Sequence, residues 1–145
     1  MEPILSVKDL SVSFHAFAGT VHAVRDVNFD LMKGETLAIV GESGSGKSVT
    51  AYSIMRILES NGGIKGGHVF YKGDDITKFS EKQMREFRGK CCSIIFQDPM
   101  TSLNPVYTIE KQLNEVYLTH QKVTKKEASA KSLEMLNVLW KCSLW

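Results

Sequence analysis

Residues 39–50 read IVGESGSGKSVT, and the eight residues from Gly41 to Ser48 fit the pattern G-x-x-x-x-G-K-[S/T]. The three glycines in this stretch permit a tight turn whose backbone N–H groups converge into an anion-binding nest. A helix that begins near Lys47 would add the positive end of its dipole. The pattern predicts a loop that binds the phosphates of ATP or GTP. We expect the Lys47 ammonium to reach the β- and γ-phosphates and the Ser48 hydroxyl to ligate Mg²⁺.

The segments on either side of the loop have the character that this mechanism requires. Residues 36–40 (TLAIV) are a continuous apolar run, which predicts a strand buried on both faces. After the loop, apolar residues recur at helical spacing from Val49 to Leu58, and Asn61-Gly62-Gly63 is predicted to end that helix. A buried strand that enters the loop and a helix that leaves it make an accidental glycine-rich turn a poor explanation.

The rest of the chain alternates strand and helix patterns, which predicts an α/β fold. Two half-buried strands are predicted before the loop, and the first is interrupted near Lys8-Asp9. Two patterns, Ser80 with Gln83 and Thr124 with Glu127, predict capping boxes that open helices. The remaining predicted elements are strands at 68–71 and 92–96, a helix near 109–118 and a last helix whose apolar stripe contains Ala130, Leu133, Leu136 and Trp140.

Composition excludes several classes of function. The chain has 145 residues, about one domain, and its formal net charge of +2 is too small to suggest nucleic acid as a partner. Its apolar runs are short, whereas a membrane-spanning helix needs about 20 apolar residues. The first residues lack the pattern of a secretory signal. Three cysteines, two of them adjacent at Cys91 and Cys92, form neither a disulfide framework nor a zinc pattern, so we expect reduced thiols in the cytosol.

A nucleotide hydrolase also needs a carboxylate for Mg²⁺, and the residues leave two interpretations open. The apolar segment 93–96 is followed by Gln97 and Asp98. In one interpretation Asp98 binds the metal, and the chain is a stand-alone small P-loop NTPase or kinase. In the other, Gln97 contacts the metal or the attacking water while the following loop senses a partner.

A longer match distinguishes these interpretations. The stretch GESGSGKSVT, followed by RGKCCSIIFQDPMTSLNPVYTI, resembles the ATP-binding subunits of ABC importers for dipeptides and oligopeptides. The ten residues FQDPMTSLNP at 96–105 are the most restrictive part, because the phosphate loop alone does not separate ABC proteins from one another. Further support comes from AVRDVNFDLMKGETLAIVG before the loop and GGHVFYKGDDITKFSEKQMREFRG after it. The resemblance runs from about Leu5 to about Leu136.

The resemblance implies a P-loop NTPase core of an ABC nucleotide-binding domain with an N-terminal antiparallel β subdomain. It implies that Lys47 and Gln97 act in ATP hydrolysis and that Ser48 and Gln97 contact Mg²⁺. Phe17 is the leading candidate to stack on adenine, with Phe14 and His15 as competitors. The implied nucleotide-binding residues are therefore Phe17, Gly41, Glu42, Ser43, Gly44, Ser45, Gly46, Lys47, Ser48 and Val49.

The implied partners are integral-membrane permease subunits, contacted by residues 98–107, and a second ATP-binding subunit in a homo- or heterodimer. The implied location is the cytoplasmic face of the cell membrane, as a peripheral protein.

The sequence also departs from that family. It contains no Leu-Ser-Gly-Gly-Gln-like signature and no aspartate strand with a catalytic glutamate, and its four histidines lie too early to match the family's switch histidine. We therefore expect residues 1–138 to be the N-terminal part of an ABC-type ATP-binding domain, incomplete at its C-terminus. We expect residues 139–145 to be an atypical tail, from a truncated reading frame or a partial gene product. The expected behaviour of this chain alone is weak Mg-ATP binding with negligible turnover, or that of a non-catalytic fragment.

Overall fold

The computed structural model describes residues 2–97 and 103–142. The chain forms two compact units, the first ending at Arg88 and the second beginning at Gly89. Within the described residues, no helix has the length and apolar character needed to cross a membrane. In chain order the elements are β1 (Leu5–Ala16), β2 (Gly19–Leu31), α1 (Lys47–Met55), β3 (Gly62–Tyr71), β4 (Asp74–Asp75), a 3-10 turn (Ile76–Lys78), α2 (Glu81–Lys90), α3 (Ile109–His120) and α4 (Lys125–Cys142).

The first unit is built on an antiparallel sheet in the strand order β2-β1-β3-β4, which confirms the predicted antiparallel β subdomain. Its core is formed by side chains that are almost completely buried, among them Val7, Leu10, Val12, Val24 and Val69. Alternating apolar residues on the paired strands account for this core, because successive side chains point to opposite faces of a sheet.

The predicted interruption of β1 is a bulge in the structure. The register of β1 with both β2 and β3 shifts after residues 7–8, and Asp9 adopts a left-handed φ of 51°. The Asp9 amide donates to Asn28 Oδ1 at 2.9 Å, so the side chain of a β2 residue satisfies a donor that regular pairing would otherwise satisfy. An extra residue of this kind bends the strand and increases its local twist.

Both predicted capping boxes are present. In α2, the Ser80 amide donates to Gln83 Oε1 at 2.9 Å, and the Gln83 amide donates back to Ser80 Oγ at 3.4 Å. In α4, the Thr124 amide donates to Glu127 Oε2 at 2.7 Å. Hydrogen bonds from the backbone and the hydroxyl of Thr124 lower the pKa of the Glu127 carboxyl. These reciprocal bonds satisfy backbone donors that the first helical turn leaves unpaired.

Helix α1 ends at Met55, before the predicted stop at Asn61-Gly62-Gly63, because Arg56 adopts a left-handed φ of 50°. The Arg88 guanidinium from α2 donates to the carbonyl oxygens of Met55 at 3.1 Å and Arg56 at 3.2 Å. A cation at the negative end of a helix dipole also stabilises the helix. Arg88 therefore joins the end of α1 to α2 inside the first unit.

We predict that Arg88→Ala lowers the free energy of unfolding by about 1–3 kcal/mol, because two carbonyl oxygens lose a charged donor. Urea denaturation followed by circular dichroism measures the change. Arg85→Ala, on the exposed side of the same helix, is the control and should leave the midpoint nearly unchanged. Equal midpoints for the two variants would contradict the capping role.

Two predicted apolar strands, 36–40 and 92–96, are not strands in the structure. Val40 is 88% exposed and Ile95 is 94% exposed. A strand of this type needs a hydrogen-bonded neighbour on each side and a packed layer on each face. Among the described residues the sheet contains only β1 to β4, so neither apolar run has such neighbours.

The apolar stripe predicted on α4 lies at the helix surface. Leu133 is 62% exposed and Trp140 is 71% exposed, whereas the buried residues are Ala128 and Ser132. Ser132 Oγ donates to Asn114 Oδ1 of α3 at 2.7 Å. Small side chains with a polar contact therefore form the packed face of α4, and the larger apolar residues remain outside it.

Candidate functional site

The predicted phosphate loop lies in the first unit, directly before α1, which begins at Lys47. Gly44 and Gly46 have left-handed φ values of 80° and 89°, as expected for a turn that directs successive N–H groups inward. Gly46 occupies the N-cap position, and no side chain caps the helix or places an acidic group in its first turn. The positive end of the α1 dipole is therefore directed at the loop without a neutralising side chain.

Contact with β2 fixes the base of the loop. A Cβ atom at Gly46 would lie 2.6 Å from the carbonyl oxygen of Ala23 and 3.3 Å from Val24 Cγ2. The Gly46 carbonyl oxygen accepts the Thr50 hydroxyl at 2.9 Å and the Thr50 amide at 2.8 Å. The loop thus lies directly on a strand of the antiparallel sheet.

The Lys47 ammonium makes three contacts with the loop itself. It donates to the carbonyl oxygens of Gly41 at 2.8 Å and Glu42 at 2.6 Å, and to Ser45 Oγ at 3.3 Å. The Lys47 ammonium is therefore held against the loop, at the first residue of α1. Backbone donors, a helix N-terminus and a cation together form a site suited to a polyphosphate.

The metal-ligand chemistry available at this site is a hydroxyl oxygen. Ser48 is exposed in the first turn of α1, next to Lys47. Mg²⁺ prefers oxygen ligands and commonly takes only one or two from the protein, with the rest from phosphates and water, so Ser48 fits this ion. Across residues 2–97 and 103–142, no group of three or more His, Cys, Asp or Glu residues is arranged to bind a metal.

The three aromatic candidates for the nucleotide base differ in environment. Phe17 is fully exposed at the turn between β1 and β2. Phe14 is half-buried, and its ring lies against Gly62, where a built Cβ would be 2.4 Å from Phe14 Cε1. His15 is within 3.4 Å of both Thr20 Oγ1 and Lys65 Nζ. Of the two phenylalanines, Phe17 is thus the one whose ring is accessible, while Phe14 packs against β3.

The second predicted functional segment belongs to the second unit. Gln97 is exposed and is the last residue of the first described range. Asp98, the alternative metal ligand, lies outside the described residues together with 99–102. Val106 is 83% exposed and Tyr107 is 47% exposed, and Lys111 Nζ lies 3.7 Å from the centroid of the Tyr107 ring. Residues 103–107 therefore present apolar side chains at the surface.

Sequence reasoning did not identify the residues that support the loop from below. Ala23 and Val24 contact Gly46 from another strand, and Thr50 is 5% exposed beneath the loop. Nothing in the spacing of the loop residues indicates which strand the loop contacts. The available signal for Thr50 was its position in the predicted helix, two residues after Ser48.

The sequence of this chain is similar to those of known proteins. A family model described as ABC transporter matches residues 24–141. The oligopeptide transport ATP-binding protein OppD of Bacillus subtilis is 50% identical over 137 residues, which are 94% of this chain and 38% of that protein. The dipeptide transport ATP-binding protein DppD of the same organism is 51% identical over 140 residues, 96% of this chain and 42% of that protein. The chain spans about two fifths of the length of these relatives.

Solved structures give the same fold. A dimeric ATP-binding cassette in a post-hydrolysis state, bound to ADP and phosphate, has a TM-score of 0.76 at 20% identity and covers 92% of this chain and 56% of that one. A Clostridium perfringens protein described as part of an ABC transporter complex has a TM-score of 0.62 at 26% identity and covers 88% of this chain and 47% of that one. This likeness confirms the predicted fold class.

Proposed function

The chain belongs to the ABC transporter family, and from this premise we propose that it binds Mg-ATP as part of a subunit that powers peptide import. Its sequence is about 50% identical to those of oligopeptide and dipeptide transport ATP-binding proteins, which supports the choice of peptides as cargo. The single observation that carries the proposal is the Lys47 ammonium held over a glycine-rich loop at the start of α1.

The chemistry of the site is mainly positioning. Loop N–H groups and the α1 dipole bind the phosphates, and the Lys47 ammonium exchanges its carbonyl contacts for β- and γ-phosphate oxygens. The Ser48 hydroxyl would hold Mg²⁺, which neutralises phosphate charge. The phosphate loop and the start of α1 also contribute the backbone of Glu42, Ser43, Ser45 and Val49. A fixed arrangement of donors stabilises the negative charge as the γ-phosphate is transferred to water.

Two residues outside the loop have proposed roles of their own. Phe17 stacks on the adenine ring, which its full exposure permits. Gln97 would supply its amide to Mg²⁺ and to the attacking water, and would link hydrolysis to the permease.

The proposed partners are a second ATP-binding subunit and integral-membrane permease subunits. The dimeric state of one structural relative and the membership of another in a transporter complex support this proposal. The permease contact would use residues 98–107, of which Val106 and Tyr107 are exposed. The protein would then act at the cytoplasmic face of the membrane as a peripheral subunit.

Binding of a fluorescent ATP analogue with Mg²⁺ tests the phosphate site. Loss of the ammonium in Lys47→Ala removes charged hydrogen bonds, so we expect affinity to fall by about 10- to 100-fold. Lys33→Ala, an exposed lysine before the loop, is the charge-matched control and should bind like the unaltered chain. Equal affinities in the two variants would rule out the proposed role of Lys47.

The rate of ATP hydrolysis distinguishes the proposed function from that of a stand-alone NTPase. We propose negligible turnover by this chain alone, because its sequence contains neither the family's signature nor the aspartate strand with its catalytic glutamate. Turnover at an ordinary rate, lost in Lys47→Ala, would favour the small NTPase or kinase with Asp98 as the metal ligand. Phosphate release measured with excess Mg-ATP distinguishes the two.

The proposed stacking of Phe17 on adenine can be tested separately. Phe17→Ala is expected to weaken ATP binding by about 5- to 100-fold through the lost stacking, and to leave inorganic triphosphate binding unchanged. Phe14→Ala serves as the comparison, since that ring packs on Gly62 and its loss should lower stability rather than base affinity. If Phe14→Ala selectively weakens ATP instead, the stacking role belongs to Phe14. Isothermal titration with both ligands measures the difference.

A further inference from the structure

Two thiols stand next to each other where the chain leaves α2. The helix ends at Lys90, and Cys91 and Cys92 follow it outside any helix or strand. Both are free cysteines, with Cys91 exposed and Cys92 half-buried. Cys92 Sγ lies 4.0 Å from the carbonyl oxygen of Ser93. The nucleotide site described above uses neither residue.

We propose that Cys91 and Cys92 form a reversible oxidation site, at which Cys91 reacts with a small-molecule disulfide and Cys92 resolves the adduct to a vicinal disulfide. The proposal goes beyond the nucleotide function and does not depend on it. An exposed thiol beside a second thiol that can displace the adduct is the arrangement typical of redox-responsive cysteines.

The two thiols differ in environment, and the difference assigns their roles. Cys91 is exposed and thus accessible to a disulfide from solution. Burial raises the pKa of the Cys92 thiol, so that less of it is present as the reactive thiolate. Cys91 is therefore the attacking residue, and Cys92 reacts in a second and slower step.

The reaction balances with the small disulfide as the oxidant. The Cys91 thiolate attacks one sulfur of the disulfide, a bond forms between them, and the other half leaves as a thiolate that takes up a proton. The Cys92 thiolate then attacks Cys91 Sγ and displaces the second half in the same way. The chain loses two hydrogen atoms and two electrons, and the small disulfide becomes two thiols.

Geometry makes the product labile rather than structural. Consecutive Cα atoms across a trans peptide are about 3.8 Å apart, below the usual range of about 4.4–6.8 Å for disulfides. Strained and exposed disulfides are the easily reduced ones. The backbone can adjust to the closed disulfide on its C-terminal side, because residues 92–96 belong to no helix or strand. On the N-terminal side, Gly89 packs against the His120 ring.

The position of the pair gives the oxidation a structural consequence. Gln97 lies five residues after Cys92, in the same irregular segment. A ring closed between Cys91 and Cys92 fixes the backbone at the start of that segment.

Two thiols without a third ligand do not form a tetrahedral zinc site, and in the described ranges no larger cluster of metal-ligating residues includes them.

Intact mass spectrometry tests the proposal on the full chain carrying Cys142→Ser, which leaves only these two thiols. After addition of oxidised glutathione we expect a transient adduct of one glutathione, followed by a product two hydrogen atoms lighter than the starting chain. Dithiothreitol should restore the original mass. In this background Cys92→Ser should stop at the adduct, and Cys91→Ser should form an adduct at least about tenfold more slowly, as access and thiolate fraction both fall.

The proposal is overturned by no modification of the chain with both thiols, by arrest of that chain at the adduct, or by equal adduct rates for the two single variants. Circular dichroism checks that each variant is folded, and alanine replaces serine where a serine variant is not. Peptide mapping after brief alkylation with iodoacetamide gives an independent measurement on the unmutated pair. Label on Cys91 ahead of Cys92 supports the assigned roles, and the reverse order contradicts them.

Discussion

Replacing Gly46 with alanine is expected to abolish detectable nucleotide binding while the antiparallel sheet remains folded. The added Cβ would lie 2.6 Å from the carbonyl oxygen of Ala23 and 3.3 Å from Val24 Cγ2, in a backbone conformation with φ of 89°. Because the first contact is with backbone, relief requires the start of α1 to move away from β2. That displacement moves the loop amides, the helix terminus and Lys47 together, so affinity should fall by more than about 100-fold.

Gly44→Ala is the matched control for this prediction. Gly44 has a similar left-handed φ of 80°, but no atom lies within 4 Å of a Cβ built there. The Gly44→Ala variant is therefore destabilised by its left-handed conformation, by about 1–2 kcal/mol, but no atom has to move to make room for the added Cβ. Titration with a fluorescent ATP analogue should rank the affinities as unaltered chain, then Gly44→Ala, then Gly46→Ala. Equal losses would show that loop conformation matters and contact with β2 does not.

Features set by short-range chemistry could be predicted from the sequence. The capping boxes at Ser80 and Thr124 depend on residues three positions apart, and both are present with reciprocal hydrogen bonds. The bulge near Asp9 was visible as a slip in the alternation of β1. In each case the residues that make the contact are close in sequence or share a simple period.

Features set by distant partners could not be predicted in this way. The apolar run 36–40 has the composition of a buried strand, yet Val40 is 88% exposed, because burial depends on neighbouring strands and not on the run itself. On α4, packing selects Ala128 and Ser132 instead of the larger apolar residues. At the site, the glycine pattern predicted the loop, but the contact of Gly46 with Ala23 joins residues that no local pattern relates.

Gly67→Ala is expected to cause the largest loss of stability among these substitutions. Gly67 lies opposite the bulge in β1, and a Cβ there would be 2.4 Å from the carbonyl carbon and oxygen of Asp9 and from the carbonyl oxygen of Lys8. All three atoms belong to backbone, so no side chain can rotate away. Overpacking and a left-handed φ of 85° together should cost about 3–5 kcal/mol.

A cost of that size is a large part of the stability of an ordinary domain, about 5–15 kcal/mol, and should lower the urea midpoint by roughly 1–5 M. Gly73→Ala separates the two causes, because Gly73 has a φ of 88° with no atom within 4 Å of a built Cβ. That variant should lose only the conformational part, about 1–2 kcal/mol. Denaturation curves that coincide for Gly67→Ala and Gly73→Ala would mean that the bulge can move aside, and that the close approach of β3 to Asp9 does not stabilise the sheet.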